Sequence, residues 1–164
     1  MTIAGDQVSV TVRVDAAPEV AFEVFTTEID LWWRRGIAFR ASGKAQGVLV
    51  LEPKLGGRLF EEYVGANGPA VHEAGRVTAW QPPSRLAFEW RGSNFAPGES
   101  TEVEVSFTRT ASGATQVVLV HRGFAALPPD HPVRHGQPVV AFIRAIGMWW
   151  GDLLSAFRER ASPE

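Results

Sequence analysis

Valine alternates with polar residues throughout Val8-Ser9-Val10-Thr11-Val12-Arg13-Val14, the period-two pattern of an antiparallel strand with one face buried. The pattern then changes period. Pro18 suits the first position of a helix, and Val20, Val24 and Phe25 give Pro18–Thr26 an apolar stripe. A second short helix is predicted next, with Thr27 as its cap, Asp30 in its first turn and Trp32-Trp33 at its end before Arg34-Arg35-Gly36.

From Gly47 to Phe124 short strand-like runs alternate with turn signals. The predicted strands are Gly47–Glu52, Arg58–Val64, Val71–Trp80, Arg85–Arg91, Thr101–Arg109 and Thr115–Arg122. The separators are short and rich in turn residues, Lys54-Leu55-Gly56-Gly57, Gln81-Pro82-Pro83-Ser84 and Ala111-Ser112-Gly113 among them, which favours consecutive antiparallel pairing. The last element, Pro138 to Arg160, carries Val139, Phe142, Ile143, Ile146, Trp149, Trp150, Leu153 and Phe157 at helical spacing. At 1.5 Å per residue it extends about 35 Å, enough to lie across most of a sheet. Gly147 costs this helix about 1 kcal/mol against alanine, which makes sense where a neighbouring group approaches closely.

The predicted class is therefore α+β: a seven-stranded curved antiparallel sheet gripping a long C-terminal helix, with two short helices between strands 1 and 2. At 164 residues the chain reads as a single domain, 1–164. It has no cysteine, which excludes disulfides and thiolate chemistry and fits the cytoplasm. A net charge of −2 with scattered charges gives no footprint for nucleic acid, and no window of the sequence suggests a membrane span. Edge strands leave homodimerisation open.

Several motifs then carry a family likeness: Ala17-Pro18-Glu19-Val20-Ala21-Phe22, Leu31-Trp32-Trp33, Leu51-Glu52-Pro53 through Gly56-Gly57-Arg58, Gln81-Pro82-Pro83-Ser84-Arg85-Leu86 into Phe88-Glu89-Trp90, and His121-Arg122-Gly123-Phe124. With them the chain resembles the START-like (SRPBCC) helix-grip superfamily, in the branch homologous to the activator of the heat-shock chaperone ATPase. The resemblance implies a sheet wrapped around the C-terminal helix and a cavity between them. Members of that superfamily include lipid carriers, cyclases, hormone receptors and co-chaperone domains, so the likeness implies no single activity.

The candidate ligand-binding residues are Trp33, Glu61, Tyr63, Phe88, Trp90, His121, Phe142 and Trp149. Of Glu61 and Glu62, adjacent on one strand, one faces the concave side, where it forms an ion pair or holds a ligand's polar end. His121 shares a face with Val117 and Leu119, and reads either as a satisfied core histidine or as a ligand contact. Phe88 and Trp90 share a face with Leu86 and point inward. Six tryptophans exceed ordinary packing needs, and apolar pockets are lined by such side chains.

His131-Pro132-Val133-Arg134-His135 does not have the spacing of a helical zinc motif, so no metal and no cofactor is predicted. The connection Gly123–Gln137, with Arg34–Gln46, has the length of a mobile gate. The reading that follows is binding of a small, largely apolar ligand between sheet and helix, with no catalytic residue assigned. Two rivals stand beside it. One is a chaperone-associated stress-response module with an exposed apolar patch around Phe95. The other is a cyclase- or hydrolase-type enzyme using an inward carboxylate and His121 in one cleft.

Overall fold

The computed structural model describes residues 5–36, 38–40 and 47–163. The alternating valines form β1 (Gln7–Val14), followed by α1 (Pro18–Thr26) and the one-turn α2 (Ile29–Trp32). Thr27 caps the C-terminal end of α1 rather than opening α2, whose N-cap is Glu28 and carries no side-chain capping bond. The Thr26 hydroxyl donates back to the Phe22 carbonyl instead. The remaining strands are β2 (Val48–Leu51), β3 (Arg58–Gly65), β4 (Gly68–Gln81), β5 (Arg85–Trp90), β6 (Thr101–Arg109) and β7 (Thr115–Arg122). The chain closes with α3 (Val139–Ala161).

All seven strands form one antiparallel sheet in the order β1-β7-β6-β5-β4-β3-β2, so β2 to β7 pair consecutively, β7 returns beside β1, and β1 and β2 are the two edges. The register slips beside Leu59/Phe60 in the β3–β4 pair and between Val77 and Ala79 in the β4–β5 pair. Such bulges bend and twist a strand, which lets the 14-residue β4 curve. At Gly75 the Glu89 backbone comes so close that a Cβ would collide with its carbonyl oxygen, and only glycine fits.

The concave face holds Leu86 and Phe88 from β5, Val103, Val105 and Phe107 from β6, and Val117, Leu119 and His121 from β7. The opposite face carries an ionic ladder in which Arg122 bridges Glu102 and Glu104, and Arg85 pairs with Glu104 from β5. Hydrogen bonding from Arg122 holds the Glu104 carboxyl below its usual range. The C-terminal half of α3 packs Trp150, Leu153, Leu154 and Phe157 onto the concave face and α1. Phe25 meets Phe157 edge-on at 5.2 Å, and Trp32 lies 5.3 Å from the same ring.

By length and composition α3 could cross a membrane, so the expectation of no span-like window is amended. Its buried face belongs to this core. Gly147 lies beside β1, where a Cβ would stand 3.2 Å from Val8 Cγ2, the close approach its place in a helix implies.

Candidate functional site

Where the N-terminal half of α3 crosses the sheet, packing is incomplete and two adjoining cavities remain. The first, about 210 Å³, is lined by Trp33, Arg40, Glu61, His72, Trp90 and Trp149, with Ser93, Asn94 and His135 among its further neighbours. The second, about 230 Å³, lies against Phe124, Val133, Phe142 and Ile146 and is bounded by His121 and Gln137. Ala38, Trp90, His135 and Trp149 line both and so form the partition. Two indoles, Trp90 and Trp149, build that wall, and Trp33 backs it from the first cavity: Trp33 stacks on Trp90 at 5.6 Å, and Trp149 lies 5.8 Å from each. Trp33 and Trp149 donate their indole N–H groups to the carbonyls of Phe39 (2.9 Å) and Ala38 (2.6 Å), which fixes their orientation.

Of the adjacent glutamates, Glu61 faces inward and is 2% exposed, while Glu62 is exposed. The registers Leu49↔Glu61 and Glu61↔His72 put the three side chains in one row across β2, β3 and β4, and all three line the first cavity. Tyr63, two residues on, lines neither cavity, and its ring edge lies beside Gly65 at the hairpin. Phe88 is fully buried in the main core and likewise lines neither. Trp33, Glu61, Trp90 and Trp149 therefore come together at the first cavity, and Trp90, His121, Phe142 and Trp149 at the second.

His121 is 2% exposed, and both ring nitrogens are engaged. Trp150 Nε1 donates to Nδ1 at 3.0 Å, so Nε2 carries the hydrogen of the neutral ring and donates to Thr101 Oγ1 at 2.6 Å. Thr101 passes its own hydrogen to the Trp90 carbonyl at 3.0 Å. Every polar atom of this chain of bonds is satisfied, and burial pushes the His121 pKa down to about 3. The ring is a neutral structural element at physiological pH. Glu61 lines the first cavity and His121 the second, on the two sides of the partition.

Phe95 is not the centre of an exposed patch. It is 9% exposed and packs with Phe124, Leu127 and Phe142 in a satellite core. The connection Gly123–Gln137 is likewise anchored. It contains 3₁₀ turns at Phe124–Ala126 and Pro132–Arg134, and buries His131 and Arg134. His131 accepts from the Val133 N–H at Nδ1, so Nε2 faces Glu99 Oε1 at 2.7 Å. Arg134 donates to the Phe124 carbonyl at 2.8 Å and lies over the Phe142 ring. In the other predicted gate segment, Arg34–Gln46, residues 37 and 41–46 lie outside the described residues. Among the described residues no cluster of histidines and carboxylates has a metal-binding arrangement.

Sequence reasoning missed Arg40, the most thoroughly bonded side chain at the site. All five of its N–H donors have acceptors: Asp30 Oδ1 (2.7 Å) and the backbone carbonyls of Arg34, Gly47, Asp30 and Trp33. Asp30 in turn accepts from the Leu49 N–H and from Arg35. These bonds hold the Asp30 carboxyl below its usual range despite the opposing effect of burial. The Asp30-Leu31-Trp32-Trp33 run followed by two arginines was the visible signal; its closure onto Arg40 was not.

Residues 15–140 match the family described as Activator of Hsp90 ATPase homolog 1-like protein. The chain belongs to that family. No curated protein matches the sequence. Among solved structures, this member of the family is similar to protein SA2116 of Staphylococcus aureus, of unknown function (TM-score 0.65, 15% identity, covering 95% of this chain and 94% of that one). It is similar to MLL2253 of Mesorhizobium loti (0.62, 18%, 93% and 94%). It is also similar to PFC0360w of Plasmodium falciparum, an HSP90 activator (0.59, 17%, 92% and 91%). At these identities the likenesses show the helix-grip fold.

Proposed function

We propose that this protein binds a small, largely apolar molecule in the paired cavities beneath the N-terminal half of α3, without covalent chemistry. The observation that carries this reading is the partition itself. Trp90 and Trp149 are half-buried, and each lines both cavities. An apolar ligand lying along them gains roughly 25 cal/mol for each Å² of apolar surface taken from water. Phe142 and Ile146 would hold its body and the Glu61 end its polar group. The absence of cysteine suits work in the cytoplasm.

Native mass spectrometry of the purified protein, set against the denatured chain, tests this. The expected result is a non-covalent mass that travels with the folded protein, or a rise in melting temperature with small apolar compounds. A protein that is isolated empty and gains no stability from such compounds would count against the reading.

A second reading, an activator-like chaperone partner in a stress response, is favoured by the family description and by the HSP90 activator among the structural neighbours. Its test is stimulation of a chaperone ATPase. The surface it would use is not at Phe95; the exposed apolar side chains of α3, Val140 and Met148, are the better starting point for mutation. A homodimer through the edge strands β1 or β2 would show as a doubled mass in the same native spectra.

A further inference from the structure

We infer that Arg40 is a positioning residue of the ligand site: through the turn it holds closed, it sets the orientation of Trp33 and Trp149 at the first cavity. This rests on the ligand-binding reading above and identifies the side chain on which the shape of that site depends.

All five N–H donors of Arg40 are bonded within the protein, so its part in the site is indirect. The acceptors come from both flanks: Asp30 in α2, the Trp33 and Arg34 carbonyls just after it, and the Gly47 carbonyl before β2. The guanidinium has no exposure, and a buried donor that loses its acceptor is costly, so the side chain pins the backbone that carries it.

That backbone faces the cavities. Phe39 and Arg40 donate their backbone N–H groups to the Gly36 carbonyl at 3.1 and 2.9 Å, which closes the turn. The turn then presents two carbonyls, Phe39 to the Trp33 indole N–H and Ala38 to that of Trp149. The Phe39 ring also lies along Trp149, with centroids 6.1 Å apart and planes 22° from parallel. Trp33 is therefore held twice, at its own carbonyl by Arg40 and at its indole by Phe39. Trp149 arrives from α3 and seats on the same turn. If the turn shifts, both indole N–H groups lose their acceptors, the rings rotate towards other partners, and the partition between the cavities changes shape.

Arg40→Lys tests this. Lysine keeps a charge beside Asp30, but its compact ammonium has three donors and cannot span the acceptors that the planar guanidinium reaches. In NMR spectra of the ligand-free protein the indole N–H signals of Trp33 and Trp149 should move and lose about ten-fold or more of their protection against hydrogen exchange. Those of Trp32, bonded to the Val24 and Phe25 carbonyls, and of Trp150, bonded to His121, should stay where they are. Affinity for 2-phenylethanol should fall about ten-fold or more, whereas Phe157→Ala, which opens the core at the other end of α3, leaves it unchanged. Unmoved Trp33 and Trp149 signals, or an affinity equal to that of the unaltered protein, overturn the inference and leave the cavity reading standing. No shift at any cavity residue of the unaltered protein with millimolar 2-phenylethanol overturns both. If Arg40→Lys does not fold, hydrogen exchange of the unaltered protein decides. Protection of the Arg40 Nε–H and of the two indoles should agree within about three-fold, as for one unit that opens together, and a Trp149 indole that exchanges independently of Arg40 overturns the inference.

Discussion

The two halves of α3 share a helix and a sheet but solve different problems. Beyond Trp150, its inward side chains are fully enclosed: Leu153, Leu154 and Phe157 interlock with Phe25 and Trp32. Before Trp150, the inward positions Phe142, Ile146 and Trp149 face space as well as protein. The difference follows from what lies beneath. At the closed end α1 packs Phe22 and Phe25 edge-on against Phe107 of β6, whereas at the open end short connections bring Ser93, Asn94 and His135 to the mouth. Stability is concentrated at one end, which leaves the other free to keep an unfilled interior.

The largest expected effect breaks the closed end. Phe157→Ala removes a ring with no exposure and two aromatic partners, and should cost about 3–5 kcal/mol in urea unfolding. Ligand affinity of the molecules that remain folded should not change. A cost under about 1 kcal/mol would mean that the closed end is not the stabilising core.

His121 stands between the halves, and its effect is one of pH. Its folded pKa, about 3, lies far below the ordinary value near 6.5, so the buried ring stays neutral where the unfolded chain takes up a proton. Above pH 6.5 it costs nothing. As pH falls from 6.5 towards 3, stability drops by up to about 1.4 kcal/mol per unit, or about 2 kcal/mol by pH 5. Asn in its place keeps a donor and an acceptor without titrating, so His121→Asn should flatten the dependence of melting temperature on pH between 6.5 and 5. An unchanged slope would place the titration elsewhere.

Trp149→Leu probes the open end. Trp149 is half-buried against cavity on two sides, so the fold should lose about 1–2 kcal/mol while affinity for an apolar ligand falls ten-fold or more. Equal losses in stability and affinity would make Trp149 part of the core alone.

The sheet, its pairing order and α3 were legible because period two, period 3.6 and turn chemistry are local signals. The inward parity of Leu86, Phe88 and Trp90, and of Val117, Leu119 and His121, followed from the same alternation. What was not legible depends on partners far along the chain. Glu61 could not be separated from Glu62 because the bulge at Leu59/Phe60 precedes them, and bulges leave no fixed mark in sequence. Phe95 and His131 sit in segments that read as loops, yet they lie 4.9 Å apart, ring to ring, in a core joining the two loops. Arg40 carried no signal of its own and is 3% exposed, because five acceptors from four other residues converge on it.

The smallest effect is expected where the two halves meet. Gly147→Ala gains about 1 kcal/mol of helix propensity. The new methyl would stand 3.2 Å from Val8 Cγ2, a contact that relaxes if β1 shifts by a few tenths of an ångström. Val8 lies on an edge strand and is only partly buried, so such a shift has room, and the net change in stability should stay within about 1 kcal/mol. Its value lies in the contrast with binding. If the seam between β1 and α3 gives way without altering the cavities, affinity for an apolar probe stays as it was. A loss of affinity with little change in stability would instead tie the cavity walls to the seating of α3 on β1, and the division between a closed and an open half would have to be abandoned.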